Sequence, residues 1–329
     1  MKEIRAKARE LMKGHCRVCP VCDGHACVGE VPGMGGLGTA TSFHNNLSAL
    51  AAHRLCMRVI HDVTEPGLRC SLLGLDLELP ILAAPIGGVE FNMGGQMSEL
   101  DYVTAVLAGC VSRGTLGCTG DGVPDFIHQT AFQVIEQLDG RGIPFIKPWE
   151  SAELTDKLTG AVAHGAKILG IDVDAVGLVT LRKMGRPVAP RPAAALKAVI
   201  EQTDAQVILK GIMTTDEALL ARDCGAAAIV VSNHGGRVLD HAPGAAEVLP
   251  AIAEALDGAL PVLADGGVRS GADVLKLLAL GADAVLVGRP FSVAALGGGL
   301  AGVEAYLDQL RTELVQAMVL TGCAALDRV

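Results

Sequence analysis

Eight short apolar runs, each ending in turn or polar residues, constrain this chain more than any other feature. They are Ile81–Gly87, Leu116–Gly120, Pro144–Trp149, Lys167–Asp174, Val207–Ile212, Ala227–His234, Pro261–Gly267 and Ala284–Pro290. Short runs rich in Val, Ile and Leu fit strands buried on both faces. Amphipathic stretches separate them, for example Glu153–His164, Asp216–Cys224, Ala245–Leu256 and Ser270–Leu280. Eight strand–helix units predict an α/β chain closed into a (β/α)8 TIM barrel. The alternative is an open doubly wound sheet, which the count of eight weakens. So does the lack of an early G-x-G-x-x-G opening a helix. The expected organisation is a cysteine-rich N-terminal extension and cap over residues 1–75, followed by the barrel over 76–329.

Composition supports a packed core and narrows the partners. Half of the 329 residues are apolar, only 3% are aromatic, and 41 are glycine. Cores of small aliphatic residues with glycine turns suit a parallel sheet under helices. The 27 basic and 36 acidic residues leave a net charge of −9. That disfavours nucleic acid and anionic membrane surfaces. It does not disfavour a small anionic substrate, which one pocket arginine can hold. The opening MKEIRAKAREL lacks the apolar segment of a secretory signal, and no apolar run is long enough to span a bilayer. The expectation is a cytoplasmic protein whose ten cysteines are thiols or metal ligands rather than disulfides.

In barrels of this kind chemistry gathers at the C-terminal ends of the strands. Polar residues fall there on five consecutive runs: Asp172 and Asp174, then Lys210, Ser232 with His234, Asp265, and Arg289. The segment Ser232-Asn-His-Gly-Gly-Arg237 is the most informative. Its glycines allow a sharp turn, its imidazole suits proton abstraction near neutral pH, and its guanidinium suits capture of a carboxylate. Asp265-Gly-Gly-Val-Arg-Ser-Gly271 and the later Gly288-Arg289-Pro290 are glycine-containing turns into helices. Such turns cradle phosphate, commonly after strands seven and eight of a barrel. Lys210 ends an otherwise apolar run and needs an anionic partner, either a ligand or a structural ion pair with Asp172 or Asp174.

The stretch from Val207 to Pro290 resembles the FMN-dependent 2-hydroxy-acid dehydrogenase and oxidase family, which includes glycolate oxidase, lactate oxidase and flavocytochrome b2. Leu209-Lys-Gly-Ile212, Ser232-Asn-His-Gly-Gly-Arg-Val-Leu-Asp240, Asp265-Gly-Gly-Val-Arg-Ser-Gly271 and Ala279-Leu-Gly-Ala-Asp-Ala-Val-Leu-Val-Gly-Arg-Pro290 carry the likeness. It extends more weakly to Arg58–Asp62, Leu73-Gly74 and Pro80–Gly87. The resemblance implies FMN as cofactor and a small 2-hydroxy acid as substrate. It implies His234 as base, Arg237 on the substrate carboxylate, Asp174 behind His234, and Lys210 beside the reduced flavin. Asp265, Gly266, Gly267, Arg269, Gly288 and Arg289 would hold the ribityl phosphate. Ala84, Pro85, Ile86, Gly87, Thr119, Lys147, Asp172 and Ser232 would border the ring. A homo-oligomer is also implied; the electron acceptor is not.

Three features depart from that family. It usually carries one tyrosine in its N-terminal segment and another after strand three, but this chain has only Tyr102 and Tyr306, in neither place. Trp149 or Lys147 is expected to line the pocket instead, and Arg182 lies near the place of a second substrate arginine. The missing tyrosines keep open an alternative FMN-barrel chemistry, such as isomerisation or reduction of an unsaturated substrate. A non-catalytic sensor is a third reading. The last departure is Cys16-x2-Cys19-x2-Cys22-x4-Cys27, four thiols within twelve residues, which the family pattern lacks. An iron–sulfur cluster, a zinc ion and a metal-free thiol loop are all compatible with that spacing.

Overall fold

The computed structural model describes residues 1–328. A short antiparallel hairpin, β1 (Cys70–Leu72) and β2 (Leu75–Leu77), precedes the barrel and spans residue 75, the expected boundary. The eight strands that follow are β3 (Ile81–Ile86), β4 (Gly117–Thr119), β5 (Ile143–Ile146), β6 (Ile168–Asp172), β7 (Gln206–Ile212), β8 (Ala228–Val231), β9 (Val262–Ala264) and β10 (Ala284–Val287). All pair in parallel, and β10 returns to β3, closing the barrel. Each expected run holds one strand, in the expected order. The doubly wound alternative is therefore excluded.

Side-chain alternation sorts each strand between two cores. Leu82, Cys118, Phe145, Ile208, Val230, Leu263 and Leu286 point inward and fill the barrel, while Leu169, Ile171, Val207 and Leu209 point outward to the helices. Leu72 and Leu77 of the hairpin join the inner cluster, and Gln206 at the start of β7 donates to the Leu73 carbonyl. The hairpin is thus the floor of the barrel. Gly170 on β6 faces the same interior, and a Cβ there would overlap the Phe145 ring. Gly170→Ala should therefore destabilise the fold by about 1–3 kcal/mol through overpacking, read from the urea midpoint at unchanged m-value.

The same alternation builds the upper end. With Ile168 and Gly170 inward on β6, Asp172 is inward too; with Ile208 inward on β7, so is Lys210. Strand register places Asp172 directly beside Lys210. The N-terminal segment is stitched across this end. Its helix Thr41–Ala52 lies against helix Ala245–Leu256. Asn46 donates to Asn233 Oδ1 at 2.7 Å, Asn45 to the Ala242 carbonyl at 2.8 Å, and Ser42 to the Leu239 carbonyl at 2.7 Å. Among the described residues, no helix is long and apolar enough to cross a membrane.

Candidate active site

A cavity of about 410 Å³ opens at the C-terminal ends of the strands. That volume is typical of small-molecule sites. The first barrel strand contributes Ala84 to Gly88, and the following turns contribute Gly120 to Gly122, Lys147, Asp172, Lys210, His234, Arg237, Asp265 to Arg269, and Gly288 with Arg289. Of the expected site residues, Thr119, Ser232 and Asp174 do not line it. Thr119 is buried, and its hydroxyl has no partner within the chain. Ser232 is fully buried and accepts from the His234 backbone amide at 3.0 Å. Asp174 stands behind the histidine.

His234 has φ +57° and begins a turn that continues through Gly235 and Gly236, both also left-handed. Only Gly fits the third place, since a Cβ at Gly236 would meet the backbone nitrogen of Phe43 at 2.5 Å. The turn aims the imidazole into the cavity and holds it by Nδ1. Asp174 Oδ1 is 2.9 Å from that nitrogen and Asp172 Oδ1 is 3.7 Å away. Two carboxylates favour the tautomer that donates from Nδ1, which leaves Nε2 as the proton acceptor. Lys210 Nζ lies 2.9 Å from Asp172 Oδ1 and 3.3 Å from His234 Nδ1. Burial alone would raise the Asp172 carboxyl, but Lys210, then His234 and Lys147, outweigh it and hold it well below the carboxylate range. Burial opposes the Lys210 charge, and Asp172, Asp174 and Asp265 more than restore it. The structural ion pair and a ligand-facing position therefore coexist at Lys210.

The cavity is also strongly cationic. Arg237, Arg269 and Arg289 all line the cavity. Arg237 donates to the Gly33 carbonyl, and Arg289 to the carbonyls of Met34 at 2.7 Å and Gly235 at 2.9 Å. Burial pushes Arg237 down to about 10; burial, then Arg237 and Arg269, push Arg289 down to about 9. A guanidinium does not give up its proton in this range of environments. The three charges instead make the cavity a place for an anion. Of the two helix starts expected to face a phosphate, Gly271–Ala279 is satisfied internally by the Ser270–Asp273 capping box and by Glu313 on the Gly271 amide. Helix Arg289–Thr321 has no side-chain cap at Gly288, which lines the cavity. Asp265 keeps one buried oxygen without a partner, an acceptor suited to a hydroxyl-bearing chain. These residues fit FMN: cations for its phosphate, Asp265 for its ribityl hydroxyls, and Lys210 beside its ring.

Two expectations need correction. Lys147 lines the cavity but Trp149 does not. The indole N–H donates to Asp121 Oδ2 at 2.5 Å, and Lys157 Nζ lies 3.0 Å from Asp121 Oδ1. A buried carboxylate needs such donors, so Asp121 turns the tryptophan away from the mouth. Arg182 is not a lining residue either; its neighbours Thr180, Leu181, Lys183 and Met184 are. Asp121 itself escaped the sequence reading, although it is the first polar residue after the second run. Pro32, Met34, Phe91 and Met93 also line the cavity, and no motif announces them. Nor are the four cysteine sulfurs gathered for a single ion. Among the described residues, only Asp172, Asp174 and His234 bring three ligand atoms within 4.8 Å of one another.

The profile of the FMN-dependent dehydrogenase family matches residues 33–185 and 182–329. The chain belongs to that family. Similar proteins include an L-lactate oxidase of Lacticaseibacillus rhamnosus, 54% identical over 88% of this chain and 84% of that one. A 4-hydroxymandelate oxidase of Amycolatopsis orientalis is 33% identical over 88% of both. A mandelate oxidase structure with (S)-2-phenylpropionate superposes with a TM-score of 0.80 at 29% identity, covering 99% of this chain and 95% of that one. The cavity of this FMN-dependent dehydrogenase family member is lined by most of the residues that the resemblance implies for its cofactor. FMN at 100 times its Kd should stabilise the apoprotein by about 2.7 kcal/mol. That corresponds to a rise of about 4 °C in Tm for a chain of this size, measurable by scanning calorimetry.

Proposed function

We propose that this family member oxidises a 2-hydroxy acid to the 2-oxo acid, with His234 as the base. One observation carries the reading: His234 and Arg237 face one cavity while Asp174 occupies the Nδ1 side of the imidazole. FMN, when bound, supplies the two-electron acceptor for the substrate's Cα hydrogen. The substrate hydroxyl gives its proton to His234 Nε2. Asp174 and Asp172 then flank the imidazolium that forms and stabilise its charge. Arg237 holds the carboxylate and so fixes which face of Cα is presented. Lys210 balances negative charge at its end of the cavity. Lys183, which lines the cavity where Arg182 does not, is the cation available to a second substrate oxygen.

The relatives support the reading, since those compared act by name on lactate, 4-hydroxymandelate and 2-hydroxy acids. The apolar wall of Met34, Phe91, Met93, Leu178 and Met184 favours a substrate with an apolar group on Cα. Nothing in the cavity favours the isomerase alternative. Anaerobic titration of the FMN-loaded protein against aliphatic and aromatic 2-hydroxy acids tests the proposal. Bleaching of the flavin by at least one acid, with release of its 2-oxo acid, is expected. A protein that binds FMN yet stays oxidised with every acid of the panel would overturn it.

A further inference from the structure

The N-terminal cysteine loop is the one motif that the hydroxy-acid chemistry does not use, and it sits against the cofactor site. Arg269 and Arg289 both line the cavity, and both reach out of it into this segment. Arg269 donates to the Cys22 carbonyl from Nε at 3.3 Å and from Nη2 at 3.2 Å. Arg289 donates to the carbonyls of Met34 and Gly35. The side of Phe43 joins the two parts. Arg289 lies 4.2 Å from its ring centre, and Gly24, inside the cysteine loop, packs so closely on the ring that a Cβ would meet it at 2.6 Å.

The loop is also held in shape from outside. Arg5 donates to the Cys19 carbonyl, and Arg9 to the carbonyls of Arg17 at 3.2 Å and Val18 at 2.9 Å. These bonds hold backbone, not sulfur, so the four thiols remain available. Cys16, Cys19, Cys22 and Cys27 are all unpaired and all partly exposed. One backbone amide, that of Val18, already points at Cys16 Sγ at 3.3 Å. Amide donors to sulfur and a cationic surround are what a negatively charged thiolate centre requires.

The sequence spacing of the cysteines points to the kind of centre. Zinc sites, with Zn–S of about 2.3 Å, more often use two separated pairs. C-x2-C-x2-C is the local spacing that wraps a multi-iron centre. We propose that Cys16, Cys19, Cys22 and Cys27 bind an iron–sulfur cluster beside the phosphate end of the flavin site, as the outlet for substrate electrons. The outlet rests on the proposed reaction; the cluster does not. Oxidation of a 2-hydroxy acid to a 2-oxo acid releases two electrons and two protons. The cluster passes one electron at a time, so the partner is a one-electron carrier protein, reduced twice per turnover, and the protons leave to solvent.

The test uses the full chain with FMN bound, produced and purified without oxygen. Iron, acid-labile sulfide and zinc are measured, and low-temperature electron paramagnetic resonance is recorded after dithionite. Expected are roughly two or four irons per chain with matching sulfide, and a cluster signal. Cys16→Ser and Cys22→Ser should each lose most of the iron while keeping FMN. Cys56→Ser, an exposed cysteine outside the loop, should keep both. Only trace iron after reconstitution with ferrous iron and sulfide, or zinc in its place, would overturn the cluster. FMN retained in the two serine variants separates a lost ligand from a lost fold. A cluster that dithionite reduces but a flavin-bleaching hydroxy acid does not would overturn the outlet. Failure of every acid to bleach the flavin would instead strike the proposed reaction and leave the dithionite signal standing.

Discussion

His234→Ala lowers the rate constant for flavin reduction by a 2-hydroxy acid by roughly 10²–10⁴-fold, the usual effect of removing a positioned general base. The effect belongs to the chemical step, so it appears in anaerobic stopped-flow reduction rather than in substrate affinity. The side chain is close to others but carries little of the fold. Its removal leaves Lys210 paired with Asp172 at 2.9 Å, while Asp174 loses its side-chain hydrogen bond to the imidazole. FMN content should stay near stoichiometric, because Arg269, Arg289 and Gly288 remain to hold the phosphate. His234→Gln keeps a polar group of similar reach but cannot take the proton, and should fall in the same range. Near-native reduction by either variant would remove His234 from the mechanism.

Arg237→Lys should cost about 2–5 kcal/mol in kcat/KM, roughly 30- to 5,000-fold, as when one partner of a buried charge pair is truncated. Two properties of the site set that scale. Arg237 is half-buried, so a carboxylate opposite it is only partly screened. Its Nη1 is already spent on the Gly33 carbonyl, which orients the planar group and leaves its other donors for the substrate. A lysine keeps the charge but supports neither arrangement, so both KM and the reduction rate should worsen. Steady-state kinetics with the best acid of the panel, alongside a neutral analogue lacking the carboxylate, separates the two. The analogue should be almost insensitive to the substitution; equal losses for acid and analogue would show that Arg237 serves the fold instead.

Much of the barrel was legible because its strands are buried on both faces and therefore read as apolar runs. The ends were less so. Ala227–His234 contains a strand of only Ala228–Val231, since the chain leaves the sheet before the left-handed turn at His234. Pro261–Gly267 shortens to Val262–Ala264 for the same reason, with Gly266 and Gly267 both at positive φ. Helices were placed within a residue or two, as at Ala245–Leu256. The site was legible wherever function sits on a strand end: Asp172, Lys210, His234 and Asp265 follow from position alone. It was illegible wherever the partner is backbone. The carbonyls of Gly33, Met34 and Gly35, which receive Arg237 and Arg289, have no residue signature. Sequence left Trp149 and Lys147 as alternatives at the pocket, because the direction of the indole depends on Asp121, a neighbour from another strand end.

The group around the imidazole carries its own electrostatic logic. Asp172 and Asp174 bring two carboxylates and Lys210 one ammonium, with the imidazole of His234 between them. The corner is one cation short while the enzyme waits, and it becomes neutral at the instant the substrate's proton is captured. That deficit drives deprotonation of an alcohol, but it also repels an incoming acid anion. Arg237, three residues along the same turn, supplies the missing cation to the acid's carboxylate, so that the anion is received beside the base that takes its hydroxyl proton.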